Sequence, residues 1–322
     1  MLNRRVLLSS LLLPPAVGGG LVAAGQAYSR SSRREFVGVD NWFNTDQPLT
    51  LTGLRSNPVL VEFGTYTCIN WRRTLPYVKR WHAEYGPLGL RVIGVHTPEF
   101  SFERRRDYIE QELRALGVSF PIAQDNDFKT WRAFDNDAWP SFYLLDREGR
   151  LRLNREGEGN SAEIEDAIRA QLGLAPGAKS EDADLSRIGT PEFYFGSLHG
   201  TPQDRKQSPR NGEAAYTIAR ATEPRLNEYD LEGTWTRAAE PLTLRSDAGK
   251  VRVRFSAAKM NLIAGADQPA TVRVRVDGGA ERAVRIGLPT LYTLLDSDSY
   301  GEHLLELEAG TPGLTLYSAT FG

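Results

Sequence analysis

Cys68 is the only cysteine in this chain of 322 residues, and its setting suits a nucleophile. An apolar run, Val59 to Phe63, ends in Gly64-Thr65-Tyr66-Thr67, and a helical pattern starts at the cysteine itself. A sulfur in the first turn of a helix faces unpaired backbone N–H groups and the positive end of the dipole, both of which favour thiolate. Arg72 and Arg73 bring positive charge to the same turn. Such a thiol can attack a disulfide to give a mixed disulfide, or be oxidised to sulfenate. The sequence then runs Cys-x-x-Trp, so Trp71 stands where a second cysteine would resolve the product. An indole cannot do that, and Trp71 is read first as packing beside the sulfur, with substrate contact as the alternative. His96, Glu99 and the cluster Asp125-Asn126-Asp127 follow the ends of predicted strands, where open α/β sheets place their sites. His96 is the candidate base for Cys68. Caps and turn hydrogen bonds are the plainer role for this whole group.

The elements that must hold these residues follow from periodicity. Val59 to Phe63, behind Pro58 and rich in β-branched residues, predicts a buried strand. After Cys68 the apolar positions Trp71, Leu75, Val78, Trp81 or His82, and Tyr85 share one helix face, which Gly86-Pro87 ends. Leu90 to Val95 predicts a second buried strand, and Ser101 can cap a helix through about residue 116. A short helix over 128–134, strands over 141–146 and 151–155 joined by the turn 147–150, and a helix over about 161–172 complete this half.

Four stretches then carry a family resemblance: TYTCINW (65–71), VIGVHTPEF (92–100), PIAQDND (121–127) and AWPSFYLLDREG (138–149). Together they span roughly 36–173 and resemble the TlpA/DipZ-like branch of the thioredoxin superfamily. The resemblance implies an α/β domain, a central mixed sheet flanked by helices, acting in thiol–disulfide exchange. It also implies that Pro140 is a cis-proline facing the active site. Tyr66, Thr67 and Trp139 are expected to line the same substrate surface, with Trp71 joining them in the alternative to packing. Family members carry Cys-x-x-Cys, so this chain resembles a divergent, monothiol form. Thr65 adds a peroxiredoxin-like Thr-x-x-Cys, but Val61 occupies the place of that motif's proline, which argues against a peroxidase.

Composition bounds the rest. A hydrophobic fraction of 40% and a charged fraction of 25% are those of a globular protein, and the length allows two full cores. A formal net charge of −2 gives no field for nucleic acid. The scattered histidines, His82, His96, His199 and His303, offer no metal-ligand spacing with the cysteine, and no cofactor is called for. Arg4-Arg5 before an apolar stretch ending at Gly25-Gln26-Ala27 predicts a twin-arginine-type signal segment over 1–27. Left uncleaved, it would tether the protein to the membrane. Export places the protein in the periplasm or outside the cell, where disulfides persist.

The division expected is a thioredoxin-like domain over 28–173, a Gly/Pro/Ser-rich linker over 174–212 and an all-β sandwich or jelly roll over 213–322. In the last, Val251, Val253 and Phe255 alternate with Arg252 and Arg254, and Val272, Val274 and Val276 with Arg273 and Arg275, a half-buried strand pattern. This order of segments is similar to the carbohydrate-binding-module-like domain that follows thioredoxin in DipZ-type proteins. Trp235, Tyr229, Tyr292 and Tyr300 are the candidates to stack on envelope sugar. The function expected is an exported monothiol oxidoreductase in which Cys68 pairs with extracytoplasmic protein thiols or disulfides, or with a small thiol. The alternative is a redox-inactive scaffold that binds peptide in the thioredoxin groove or glycan through the sandwich.

Overall fold

Strand β2 (Val59–Gly64) is buried at every position because helices and strands cover both of its faces. It lies at the centre of a mixed sheet with β1 (Asn41–Phe43), β3 (Arg91–His96), β4 (Ile122–Gln124), β5 (Ser141–Leu145) and β6 (Leu151–Glu156), in the order β1-β4-β3-β2-β5-β6. Pairings β2–β3 and β3–β4 are parallel, and β1–β4, β2–β5 and β5–β6 are antiparallel. The computed structural model describes residues 34–199, 207, 211–219 and 222–322. The expected signal segment, 1–27, lies outside the described residues.

Helix α1 (Ile69–Tyr85) buries Trp71, Leu75, Val78, Trp81 and Tyr85 along one stripe, so Trp81 rather than His82 continues the apolar face. The helix expected from Ser101 to about residue 116 is broken: a 3-10 turn over 101–104 is followed by α2 (Arg106–Ala115), with Arg105 extended between them. Glu103 causes the break, because its carboxylate turns back to accept the N–H groups of Glu99 and Phe100 at 2.6 and 2.9 Å. Helices α3 (Lys129–Ala133) and α4 (Ser161–Gln171) complete this half.

The second half is an antiparallel sheet system: β7 (Phe193–Tyr194), β8 (Gly212–Tyr216), β9 (Glu228–Arg237), β10 (Leu242–Leu244), β11 (Gly249–Ala266), β12 (Ala270–Val276), β13 (Arg282–Ile286), β14 (Thr290–Ala309) and β15 (Leu314–Phe321). Strand β11 pairs with β9 through Arg254 and with β15 from Met260 onward, changing partner at the bulge around Ala257–Lys259. That bend wraps the strands around a single core containing Trp235, Tyr229, Phe255 and Leu262. Arg252, expected on a wet face, is buried because Asp230 accepts from its Nε at 3.0 Å and from its Nη2 at 2.5 Å.

The stretch expected to be a linker over 174–212 contributes structure. Lys179 and Ser180 donate their backbone N–H groups to Glu165, and β7 pairs with β15. The second domain therefore takes in residues ahead of 213. It also packs on the first: Ile263 of β11, Leu291, Tyr194 and Tyr317 join the apolar cluster around Tyr66, Phe100 and Phe102. The run from Met260 to Gly265 does not alternate because one face lines its own core and the other meets this neighbour.

Candidate active site at the domain seam

Cys68 is the N-cap of α1, and its carbonyl accepts the Arg72 N–H at 2.9 Å. The residue is partly exposed. Its Sγ lies 3.9 Å from the Trp139 carbonyl, to which the thiol donates, and the Trp139–Pro140 peptide is cis. Thiol and Pro140 loop thus stand together. Protonation does not follow the expected direction. Burial pushes the Cys68 thiol up, and the carboxylate of Glu99 pushes it further. The N–H groups of Trp71 and Asn70 pull the other way without prevailing, and Glu192 adds a second anionic contribution.

The arginines expected to help are engaged elsewhere. Arg72 donates to the Tyr66 carbonyl at 2.5 Å, to Glu112 at 3.0 Å and to Thr290 of the second domain at 3.0 Å. Arg73 donates to Glu158 at 3.0 Å and to the Phe321 carbonyl at 3.1 Å.

Trp71 is 3% exposed, which removes it from any substrate surface. Its indole lies over Gly64, where a Cβ would overlap the ring. Below it is Glu62, fully buried in β2. Burial pushes the Glu62 carboxyl up to about 8, with the Trp71 indole the partial offset. Among the described residues, neither Glu62 oxygen has a hydrogen bond of full geometry.

Tyr66 and Thr67 are also fully buried, so neither lines a surface. The Tyr66 hydroxyl donates to the Pro289 carbonyl at 3.3 Å, under the second domain, and Thr67 donates to Glu103 at 2.5 Å. Of the four expected substrate contacts only Trp139 is partly exposed; its indole donates to the Thr97 carbonyl at 3.1 Å and its ring packs on Trp131. His96 does not serve as the base for Cys68. Its Nε2 is 3.2 Å from Thr65 Oγ1, its ring stacks on Tyr66, and burial pushes it down to about 3, so it stays neutral. Asp125 caps α3 by accepting from the N–H groups of Lys129, Thr130 and Trp131, Asn126 hydrogen-bonds Gln124, and Asp127 pairs with Lys129.

The residues that sequence reasoning missed come from the supposed linker. The Tyr194 hydroxyl lies 2.7 Å from Glu99 Oε1 and 3.1 Å from Glu192 Oε2. A hydroxyl has one proton, so both contacts are hydrogen bonds only when one carboxyl is itself protonated. Burial, then Glu192 and Glu103, push Glu99 up to about 8, and burial also raises Glu192. The run Glu192-Phe193-Tyr194-Phe195, aromatic within a Gly/Pro-rich stretch, was the available signal.

The aromatics proposed for sugar stacking are occupied. Trp235 and Tyr229 are fully buried in the core, the Tyr292 hydroxyl donates to the Leu288 carbonyl, and Arg187 covers the Tyr300 ring at 4.5 Å.

The family described as thioredoxin-like C-terminal domain matches residues 190–322. The chain is 32% identical over 312 residues to the protein DipZ of Mycobacterium tuberculosis, an alignment covering 93% of this chain and 44% of DipZ. It thus spans less than half the length of that relative. It is 24% identical over 143 residues to the thiol-disulfide oxidoreductase YkuV of Bacillus subtilis, covering 44% of this chain and 95% of YkuV. A crystal structure of a thioredoxin-like superfamily protein overlays at 25% identity with a TM-score of 0.40, covering 43% of this chain and 95% of that one.

Proposed function

Because the chain is a TlpA/DipZ-like protein of the thioredoxin family, we propose that it is an exported thiol–disulfide protein that works through one sulfur. The observation that carries this reading is the partly exposed Cys68 at the start of α1 with the Trp139 carbonyl against its sulfur. The reaction is Cys68–SH plus R–S–S–R′ giving Cys68–S–S–R plus R′–SH. The protein sulfur is oxidised, R′ leaves as the reduced sulfur, and the proton of Cys68 ends on it. With no second cysteine in the chain, an external thiol releases the partner. Protein disulfides and small thiols outside the cytoplasm are the partners. Export rests on the Arg4-Arg5 segment. No helix among the described residues is long and apolar enough to cross a membrane.

The test is the mass of Cys68 adducts after incubation of the native protein with a small disulfide between about pH 6 and about pH 10. A thiol held above its ordinary range reacts slowly at neutral pH and increasingly fast as pH rises, and Cys68→Ser gives no adduct. Absence of any adduct at the alkaline end sinks the reading. In its place would stand a redox-inactive, peptide-binding scaffold, which the burial of Trp71 in the resolving position favours. A scaffold retains all partner binding in Cys68→Ser.

A further inference from the structure

The charges around Cys68 are unbalanced. Glu99, from the loop after β3, and Glu192, from the second domain, both disfavour a thiolate at Cys68 when they are ionised. The cations of the same helix turn are committed: Arg72 to Tyr66, Glu112 and Thr290, and Arg73 to Glu158 and Phe321. His96 is buried and neutral on Thr65, and the His199 ring packs on Tyr194. The Glu99 carboxyl is not a free surface group. Tyr194 grips it at 2.7 Å across the domain seam, and its own backbone N–H is held by Glu103 at 2.6 Å. Glu103 in turn accepts from Thr67, the residue before the cysteine. Above about pH 8, where Glu99 is ionised, its charge disfavours the attacking thiolate of Cys68. A cation carried in by the partner reverses that.

We propose that Glu99, gripped by Tyr194 of the second domain, is a specificity determinant that makes Cys68 selective for disulfides carrying positive charge next to the sulfur. The inference rests on the monothiol reading above. The partner class is a disulfide flanked by lysine or arginine side chains, or a small cationic disulfide. The partner's cation meets Glu99 and offsets its repulsion of the forming thiolate. Cys68 then bonds to the near sulfur, the far sulfur leaves, and the proton lost by Cys68 ends on that leaving group. Tyr194 is a positioning residue: it acts through Glu99 and does not touch the reacting atoms.

The experiment uses the full chain and three disulfides: one bearing quaternary ammonium groups, neutral 2-hydroxyethyl disulfide, and anionic dithiodipropionate. Adduct formation at Cys68 is followed by mass at about pH 9 and low ionic strength, where Glu99 is ionised. Each rate is divided by that of N-acetylcysteinamide with the same reagent, which removes intrinsic reactivity. The expected order is cationic, neutral, anionic, with about tenfold between the extremes. The preference shrinks in high salt, and it shrinks below about pH 8, where Glu99 takes up its proton. In Glu99→Gln the order collapses, in Tyr194→Phe it weakens, and in Glu148→Gln, the same charge change at an exposed turn, it persists. The wild-type ranking and its salt dependence need no variant, so a misfolded Glu99→Gln leaves the test intact. Equal normalised rates in the wild type, or a preference unchanged in a folded Glu99→Gln, overturn the selectivity while leaving the monothiol reading standing. No adduct with any of the three overturns both.

Discussion

The two ends of helix α1 bury carboxylates in opposite ways. At its C-terminal end Glu165 is fully buried, and burial alone would raise it. Arg80 donates to both of its oxygens at 2.8 Å, Tyr85 donates at 2.7 Å, and the Lys179 and Ser180 N–H groups add two more bonds. These hold the Glu165 carboxyl well below the usual range. At the N-terminal end Glu62 is just as buried, but its polar neighbour is one indole, and burial takes it up to about 8. Glu99 reaches about 8 there as well. Equal burial therefore gives opposite protonation, and the number of donors decides the sign. The saturated end holds the helix in place, while the undersupplied end surrounds the thiol. Perturbed groups of that second kind gather where chemistry is done.

That contrast can be broken from either side. The largest effect belongs to Trp71→Ala, which empties the space over Gly64 and costs about 3–5 kcal/mol in guanidinium unfolding. It also admits water to Glu62, whose carboxyl moves back toward its ordinary value. Next is Glu165→Ala, which leaves Arg80, Tyr85 and two backbone N–H groups without their acceptor and costs about 3 kcal/mol by the same measurement.

Glu62→Gln sharpens the comparison through pH. The folded-state value, about 8, lies above the ordinary 4.5, so between those limits the folded protein holds a proton that the unfolded chain has released. The contribution of Glu62 is complete below about pH 4.5 and is lost as pH rises through about 8, with a slope of up to about 1.4 kcal/mol per pH unit. Glu62→Gln removes that slope, leaving the similar one from Glu99, so unfolding midpoints at acid, neutral and alkaline pH converge relative to wild type. Convergence absent from the variant would show that Glu62 is ionised in the fold. The smallest effect is that of Thr67→Val, which removes the bond to Glu103 and costs about 1–2 kcal/mol without changing the order of the pH curve.

Much of this molecule is legible from local pattern. Val59 to Phe63, the stripe from Trp71 to Tyr85, and Ser141 to Leu145 lie in the elements their spacing indicates, because each packs on near neighbours in a compact sheet. Strand β1 is not legible in this way: Asn41-Trp42-Phe43 is too short for periodicity and is held by pairing with Ile122 to Gln124. Met260 to Gly265 does not show as strand because its outer face meets another domain, and a run buried on both sides does not alternate. The position of Cys68 was readable, but the sign of its protonation was not. A helix N-terminus is written in adjacent residues, whereas Glu99, Glu192 and the diversion of Arg72 to Thr290 come from remote segments. Tyr66 and Thr67 illustrate the same limit: adjacency to the thiol in sequence placed them on a surface, and the second domain and Glu103 enclose them.

The clash that any Cβ at position 64 would make with the Trp71 indole sets a rule for how this sequence can drift. A side chain at position 64 and an indole at position 71 claim the same volume, so the two sites are free to vary only together. Among related sequences, glycine at the first should accompany a bulky ring at the second, and a small residue at the second should release the first. Placing a second cysteine at position 71 of this chain is thus a two-position change, since exchanging the tryptophan alone opens a hole that Gly64 cannot fill.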